Sequence, residues 1–252
     1  MFSLVQNENL KLYPRKSTLI LIAITLLLGV LPSLFIQAYL KFPGLDNVQD
    51  RVITLAGTMW FVQVFWVIVA AGILANEYSW GTIRLLLIRP ASRGEILFSK
   101  YLALLGFGLF LTGLLFGTAF LLNVLLLGPK GLIGGLWVAL VQSATPYLLK
   151  LVPGIVYGTL AFALSVLVRN QAGAIVSTLL IVFIGDQISS WFSGYPWAKY
   201  LVFSHTDLSI YFQPGAAQMI GMTPLFPVTV LLVYCLVFYL GAWLVFSNRD
   251  VM

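Results

Sequence analysis

The sequence predicts an all-α integral membrane protein with six membrane-spanning helices. Hydrophobic residues make up 60% of the 252 residues and charged residues only 9%, whereas a soluble domain has about 25% charged residues. The apolar residues are also grouped into long runs without charge, and the few basic residues lie in short segments between them. A chain of this size does not have the volume to bury so much apolar surface, so lipid must solvate it.

Six apolar runs, uncharged except for Asp186 in the fifth, are long enough to cross a membrane. A helix rises about 1.5 Å per residue, so about 20 residues cross a hydrocarbon core of about 30 Å. These spans and the segments around them are predicted to form a single transmembrane domain over residues 1–252. The predicted spans are residues 17–40, 52–76, 101–127, 151–168, 171–191 and 225–246.

A further uncharged stretch, residues 131–149, raises the alternative of a seventh span. A seventh span would require the chain to reverse at Lys150 alone, whereas helix hairpins use at least about two loop residues. The stretch also contains Gly134, Gly135 and Pro146. We interpret it as an external segment that leads into the fourth span; whether it is interfacial, re-entrant or part of a span stays open.

The basic residues predict the orientation, because basic loops remain on the cytoplasmic side. One predicted side carries Lys11, Arg15, Lys16, Arg84, Arg89, Arg93, Lys100, Arg169 and Arg249. The other side carries Lys41, Arg51, Lys130, Lys150 and Lys199. Both termini are therefore predicted to be cytoplasmic. The long external segment 192–224 and its border carry aromatic residues that suit a membrane interface: Trp191, Tyr195, Trp197, Tyr200 and Tyr211.

The N-terminal segment Phe2 to Tyr13 has the pattern of an amphipathic helix. Pro14 ends this helix, and the following basic residues suit a position at lipid headgroups. The alternative is a polar tail without a fixed structure. The predicted apolar side comprises Phe2, Val5, Leu10, Leu12 and Tyr13, and the opposite side comprises Asn7, Glu8 and Lys11.

The segment 77–100 is too short and too charged to span the membrane. Pro90 stops any helix that begins near Gly81, and Ser92 with Glu95 forms a capping-box pattern for the third span. A short helix over about 81–88 would expose four consecutive apolar residues, 85–88, unless lipid, neighbouring helices or a partner protein covers them. The alternative is an ordinary loop with a local ion pair.

These two segments resemble the membrane (permease) subunits of type-2 ABC exporters. The piece around Arg169, SVLVRNQAGAI, is also similar to the turn between that family's fourth and fifth helices. The N-terminal matches are Asn7, Glu8, Lys11 and Leu12. The loop matches are Glu77, Tyr78, Gly81, Thr82, Ile83, Arg84, Leu86, Leu87, Pro90, Ser92, Arg93, Glu95, Ile96, Leu97 and Lys100.

The resemblance implies an elbow helix on the inner leaflet, a coupling helix that docks on a separate ATPase, and external re-entrant segments within 192–224. It further implies the plasma (inner) membrane of a bacterium, two ATPase copies, and a second copy of this subunit or a related one. The implied elbow and interface residues are Phe2, Val5, Glu8, Leu12, Arg15 and Lys16. The implied ATPase-coupling residues are Glu77, Gly81, Thr82, Arg84, Leu85, Leu86, Leu87, Pro90 and Arg93.

The sequence predicts a transporter subunit and no enzyme. It has no G-x-x-x-x-G-K-[ST] loop for binding ATP, so ATP and Mg²⁺ would belong to the partner ATPase, and neither cofactor, catalytic residue, metal ligand nor nucleic-acid partner is expected here. Asp186 is the only acid within a predicted span, and His205 with Asp207 is too small a set for a lipid-modifying enzyme. The expected cargo is hydrophobic or amphipathic: a lipid, a peptide or a drug.

Two alternatives remain open. A non-transporting immunity or sensor subunit could have the same fold and the same ATPase. An ATP-independent channel or carrier would require a polar or charged stripe along a span, and the sequence contains none.

Overall fold

The structure is a computed structural model that describes residues 2–39, 45–79, 81, 92–212, 223 and 225–248. Within these ranges it is helical and contains no strand. Short 3₁₀ segments lie at Ala56–Thr58, Pro129–Gly131, Ala198–Tyr200, Val202–His205 and Leu208–Phe212. The α-helices are α1 Phe2–Leu12, α2 Lys16–Tyr39, α3 Val48–Leu55, α4 Met59–Ser79, α5 Arg93–Leu127, α6 Gly135–Val168, α7 Gln171–Trp191 and α8 Leu225–Asn248.

Six helical segments in the described ranges are long and apolar enough to cross a membrane, which agrees with the predicted number. These are α2, the joined α3 and α4, then α5, α6, α7 and α8. The helix α1 is too short and too polar to count among them. The chain is therefore an all-helical, multi-pass membrane protein.

The spans differ in how much of their surface other helices cover. In the most apolar window of each span, α6 is 72% buried and the α3–α4 segment 67% buried, against 28% for α2 and α7 and 17% for α8. Thus α4 and α6 form the centre of the bundle, and α2, α7 and α8 present most of their apolar surface outward. Lipid would cover that surface.

The indole of Trp66 fixes the contact between the central helices. It lies on α4, is 1% exposed, and packs against glycines of two neighbouring helices. A Cβ atom added to Gly108 on α5 would lie 2.2 Å from the indole, and one added to Gly154 or Gly158 on α6 would lie 3.2 Å away. Each of these glycines allows the backbone of its helix to approach the ring closely.

The fourth span differs from the sequence interpretation. Residues 131–149, expected to be an external segment before a span at 151–168, mostly belong to the same continuous helix, α6. The chain does not reverse at Lys150. Its ammonium donates to the carbonyl of Ala56, and the amide of Gln63 donates to the carbonyl of Lys150. These two contacts join α6 to the 3₁₀ segment that contains Ala56 and to α4.

The two ends of the bundle differ in composition, and we call them the charged end and the far end. At the charged end lie α1, the starts of α2, α5 and α7, and the ends of α4, α6 and α8. Contacts between these helix ends place them together: Lys100–Glu77, Arg169–Tyr78 and Arg93–Ser247. The far end carries the 3₁₀ segments of residues 198–212. At the charged end, α6 and α7 are joined by a tight turn, in which Arg169 has φ +57° and the side chain of Asn170 caps α7.

Thiol labelling tests the prediction that the charged end is cytoplasmic. Cys235 is replaced by serine, and single cysteines are placed at Ser3, Ser79 and Ser193, all of which are exposed. In intact cells an impermeant maleimide should label Ser193→Cys alone, and the other two positions should react only after permeabilisation. Labelling of Ser3→Cys or Ser79→Cys in intact cells would show that the charged end faces outward, opposite to the prediction.

Candidate functional site

Four charged residues from three helices meet at the charged end. The ammonium of Lys100 on α5 lies 2.7 Å from a carboxylate oxygen of Glu8 on α1 and 2.7 Å from one of Glu77 on α4. Lys11 lies 3.2 Å from the other oxygen of Glu8 and 3.9 Å from Glu77. We call Glu8, Lys11, Glu77 and Lys100 the ion cluster. Its two acids and two bases balance in charge.

The ion cluster is buried at its centre. The side chain of Lys100 is 0% exposed, those of Glu77 and Glu8 are 7% and 9% exposed, and that of Lys11 is 39% exposed. Charge-assisted hydrogen bonds are strong where water is excluded. Removal of one partner from such a group leaves an uncompensated buried charge, which typically costs about 3–5 kcal/mol. The contact of Lys11 contributes less because solvent screens it.

The pKa of Glu8 reflects this arrangement. Burial alone would raise the pKa, but the neighbouring ammonium groups of Lys100 and Lys11 outweigh burial and hold the pKa below its ordinary value of 4.5. A carboxylate with a lowered pKa contributes stability above its ordinary pKa and loses that contribution as the pH falls through the lowered value. The contribution of Glu8 is therefore complete at neutral pH.

The start of α5 positions Lys100. The hydroxyl of Ser92 accepts a hydrogen bond from the backbone N–H of Glu95, and the backbone N–H of Ser92 donates to the carboxylate of Glu95. This confirms the predicted capping box. The guanidinium of Arg93 donates to the carbonyl of Ser247 at the end of α8. With its first turn fixed, α5 presents Lys100 two turns further along to α1 and α4.

The predicted coupling residues are only partly within the described ranges. Glu77 lies in the ion cluster, Gly81 is exposed with φ +68°, and Arg93 contacts α8. Within the ion cluster, Glu77 pairs with Lys100. Outside the described residues lie Thr82, Arg84, Leu85, Leu86, Leu87 and Pro90.

The predicted elbow segment is a helix whose inward side differs from the sequence interpretation. Glu8, assigned to the outward polar side, is buried together with Leu12, whereas Leu10, assigned to the apolar side, is 65% exposed. Val5 is half-buried. The reason is tertiary: Lys100 of α5 supplies a partner that makes burial of Glu8 favourable. Phe2 begins the helix, Arg15 and Lys16 follow it at the start of α2, and contact of α1 with lipid remains a prediction.

The sequence interpretation missed Lys100 as the centre of the site. Lys100 is among the residues that match the loop pattern of the type-2 exporter subunits. Nothing in the local sequence, however, pairs it with Glu8, which lies 92 positions away. One signal was present. Lys100 is a charge in the helical run ILFSKYLALL, where apolar neighbours predict burial.

At the far end, His205 is buried rather than a surface histidine. Its ring nitrogens lie 3.0 Å from the hydroxyl of Tyr211 and 2.7 Å from the carbonyl of Lys199. A neutral ring that donates to the carbonyl and accepts from Tyr211 satisfies both contacts, and burial lowers the pKa of His205. Four of the predicted interface aromatics are exposed, namely Trp191, Tyr195, Trp197 and Tyr200. In the described part of the chain, no group of three or more His, Cys, Asp or Glu residues could hold a metal.

Comparisons with known proteins identify a family and two relatives. A family model described as "Protein of unknown function (DUF2705)" matches residues 18–252. "Uncharacterized protein YhcI" of Bacillus subtilis (strain 168) is 37% identical over 201 aligned residues, which cover 75% of this chain and 64% of that protein. "Uncharacterized membrane protein YdbK" of the same strain is 27% identical over 259 aligned residues, which cover 96% of this chain and 99% of that protein. The match thus spans less than two thirds of YhcI, and the name of YdbK agrees with a membrane protein.

Proposed function

We propose that this chain, which belongs to the family described as "Protein of unknown function (DUF2705)", is the transmembrane subunit of an exporter that a separate ATP-binding-cassette ATPase drives. In this proposal the charged end faces the cytoplasm of a bacterial cell. Two copies of the subunit, or this chain and a related one, form the pathway, and two ATPase subunits bind the loops between α4 and α5. The cargo is hydrophobic or amphipathic.

The observation that carries the proposal is the ion cluster. Glu8 comes from the N-terminal pattern of the resemblance, and Glu77 and Lys100 come from the two ends of the loop pattern. The structure brings these three residues into direct contact although they lie on three helices. Residues that match one family's separate patterns are thus parts of one buried site, which supports the resemblance.

The ion cluster also gives a physical route for the transmission of force. Glu77 near the end of α4 and Lys100 near the start of α5 lie on either side of the loop 80–91 and are held together at 2.7 Å, and both are connected to α1 through Glu8. A partner that moved this loop would therefore displace α1, α4 and α5 together. Helices that move as one packed unit are the usual elements of such transitions.

The number of helices favours a dimer. Six spans around the central pair α4 and α6 leave little room for a pathway inside one chain, since Trp66 fills the space between α4, α5 and α6. In oligomeric transporters the substrate route commonly lies at an interface between repeats or subunits. The outward apolar faces of α2, α7 and α8 are available for such an interface as well as for lipid.

Co-purification with the candidate ATPase tests the proposal. The tagged chain is expressed with a candidate ATP-binding-cassette ATPase, and wild type is compared with Leu86→Asp and Arg84→Glu in the segment 80–91. Both variants should insert into the membrane at wild-type levels. Both should lose the bound ATPase, since loss of one buried leucine contact costs about 2–5 kcal/mol and about 1.4 kcal/mol already weakens binding tenfold.

Lys199→Glu, a charge reversal at the far end, is the matched control and should keep the ATPase bound. Full ATPase binding and ATP-dependent cargo movement by both loop variants would refute the proposed coupling. ATPase binding by wild type without any movement of cargo in reconstituted vesicles would instead indicate a non-transporting subunit on the same fold.

A further inference from the structure

Two adjoining cavities open at the charged end beside the ion cluster. The first has a volume of about 420 Å³ and lies between the start of α2, the second half of α4 and the start of α7. The second, of about 510 Å³, lies at the end of α4 and the α6–α7 turn. Asn76 and Gln171 line both cavities. Volumes of about 300–1,000 Å³ are typical of sites for small molecules.

Among the residues that the structure describes, the lining of these cavities is basic and includes no acid. Arg15 and Lys16 line the first cavity and Arg169 lines the second, while the acids nearby, Glu8 and Glu77, lie in the ion cluster with their own lysines. The first turns of α2 and α7 also contribute lining residues, and the exposed N–H groups of a helix start add positive partial charge. The positive charge of the lining side chains therefore favours an anion.

Neutral hydrogen-bonding groups stand between the cations. Thr18 and Ser17 supply hydroxyl groups, and Asn76 and Gln171 supply amides that can donate. Thr18 is only 2% exposed. Hydroxyl and amide donors beside arginine and lysine are the usual ligands of a phosphate group.

The inner wall of the first cavity is apolar. Leu21 on α2 and Ile68 and Val69 on α4 line it. Leu19 and Ile20 of α2, which lie in the chain between the lining residues Thr18 and Leu21, are 52% and 58% exposed. A ligand with its anionic group at the cations could therefore extend apolar chains along α2, where the protein is expected to contact lipid.

We propose that these adjoining cavities bind the phosphate headgroup of an anionic phospholipid from the leaflet that faces the charged end. Arg15, Lys16 and Arg169 provide the charge, and the acyl chains lie along α2. Basic pockets between membrane helices are known to select anionic headgroups. The site does not depend on a partner ATPase, so it holds whether or not the chain is an exporter subunit.

Lipid titration of the purified full-length protein tests this site. The melting temperature in detergent is followed while phosphatidylglycerol, phosphatidylcholine or inorganic phosphate is added. Phosphatidylglycerol should raise the melting temperature at lower concentrations than phosphatidylcholine. Lys16→Gln, at an exposed position where the protein should fold normally, and Arg15→Gln with Lys16→Gln should raise the half-saturating phosphatidylglycerol concentration, the double variant about tenfold or more.

Lys199→Gln removes a lysine from the far end and should leave the titration unchanged. Equal responses to the two lipids in wild type would overturn the proposal, as would an unchanged phosphatidylglycerol titration in both variants. Stabilisation by inorganic phosphate that matches stabilisation by phosphatidylglycerol, and is lost in the same variants, would show a site for free anions instead of lipid.

Discussion

Replacement of Lys100 by methionine is expected to destabilise the protein by about 3–5 kcal/mol. The substitution keeps an unbranched side chain but removes the terminal ammonium, so it leaves Glu8 and Glu77 buried without their shared partner at 2.7 Å. Two like charges then face each other where water is excluded. The melting temperature of the detergent-purified protein should fall strongly at pH 7, and if the protein is an exporter subunit, ATPase stimulation should fall with it.

Two further variants identify the cause of that loss. Lys11→Met removes the half-exposed lysine and should cost only about 0–1 kcal/mol. A triple variant that adds Glu8→Gln and Glu77→Gln to Lys100→Met should recover most of the stability. Replacement of a whole buried ion group by uncharged residues often changes the free energy of unfolding little.

The pH dependence should have a definite sign. In wild type the contribution of Glu8 is lost below about pH 4.5, as protonation proceeds through the lowered pKa. In Lys100→Met the main cause of the lowering is gone and burial raises the pKa, so the difference from wild type should shrink as the pH is lowered. A Lys100→Met protein with wild-type stability at pH 7 would show that the cluster contributes nothing to the fold.

Replacement of Gly108 by alanine is expected to destabilise the centre of the bundle by about 1–3 kcal/mol or more. The new Cβ would lie 2.2 Å from the indole of Trp66, and atoms of a rigid ring have no flexible end that moves aside. Either α5 must move away from α4, or the indole must leave its place between the helices. The measurement is again the melting temperature in detergent.

The same helix offers matched controls for this prediction. A Cβ added at Gly106 or Gly113 meets no atom within 4 Å, so Gly106→Ala and Gly113→Ala should be neutral or slightly stabilising, because alanine favours helix. In a protein that already carries Trp66→Phe, the smaller ring should reduce the cost of Gly108→Ala. If Gly108→Ala behaves like its two controls, the close packing of α5 on Trp66 is wrong.

Some features of this protein follow from the sequence alone. Long uncharged runs must be covered by lipid whatever their neighbours are, which is why six spans are predictable from hydropathy. The capping box of Ser92 and Glu95 is also local, because both partners lie within one helical turn. The tight turn at Arg169 is local in the same way, since the predicted spans 151–168 and 171–191 leave only Arg169 and Asn170 to form it.

Other features were decided only by the tertiary structure. The helices α4, α6 and α8 are similarly apolar, but other helices cover α4 and α6 and leave most of α8 uncovered. Composition does not separate these cases, because lipid and protein offer an apolar side chain similar surroundings. Residues 131–149 looked external because a separate span would have to reverse at Lys150, but most of them continue into α6, where Ala56 and Gln63 contact Lys150 of that helix. Glu8 looked like an outward residue because its partner, Lys100, lies 92 positions along the chain. Burial of a charged side chain is favourable where an opposite charge lies beside it. Which charges lie side by side depends on how the helices pack.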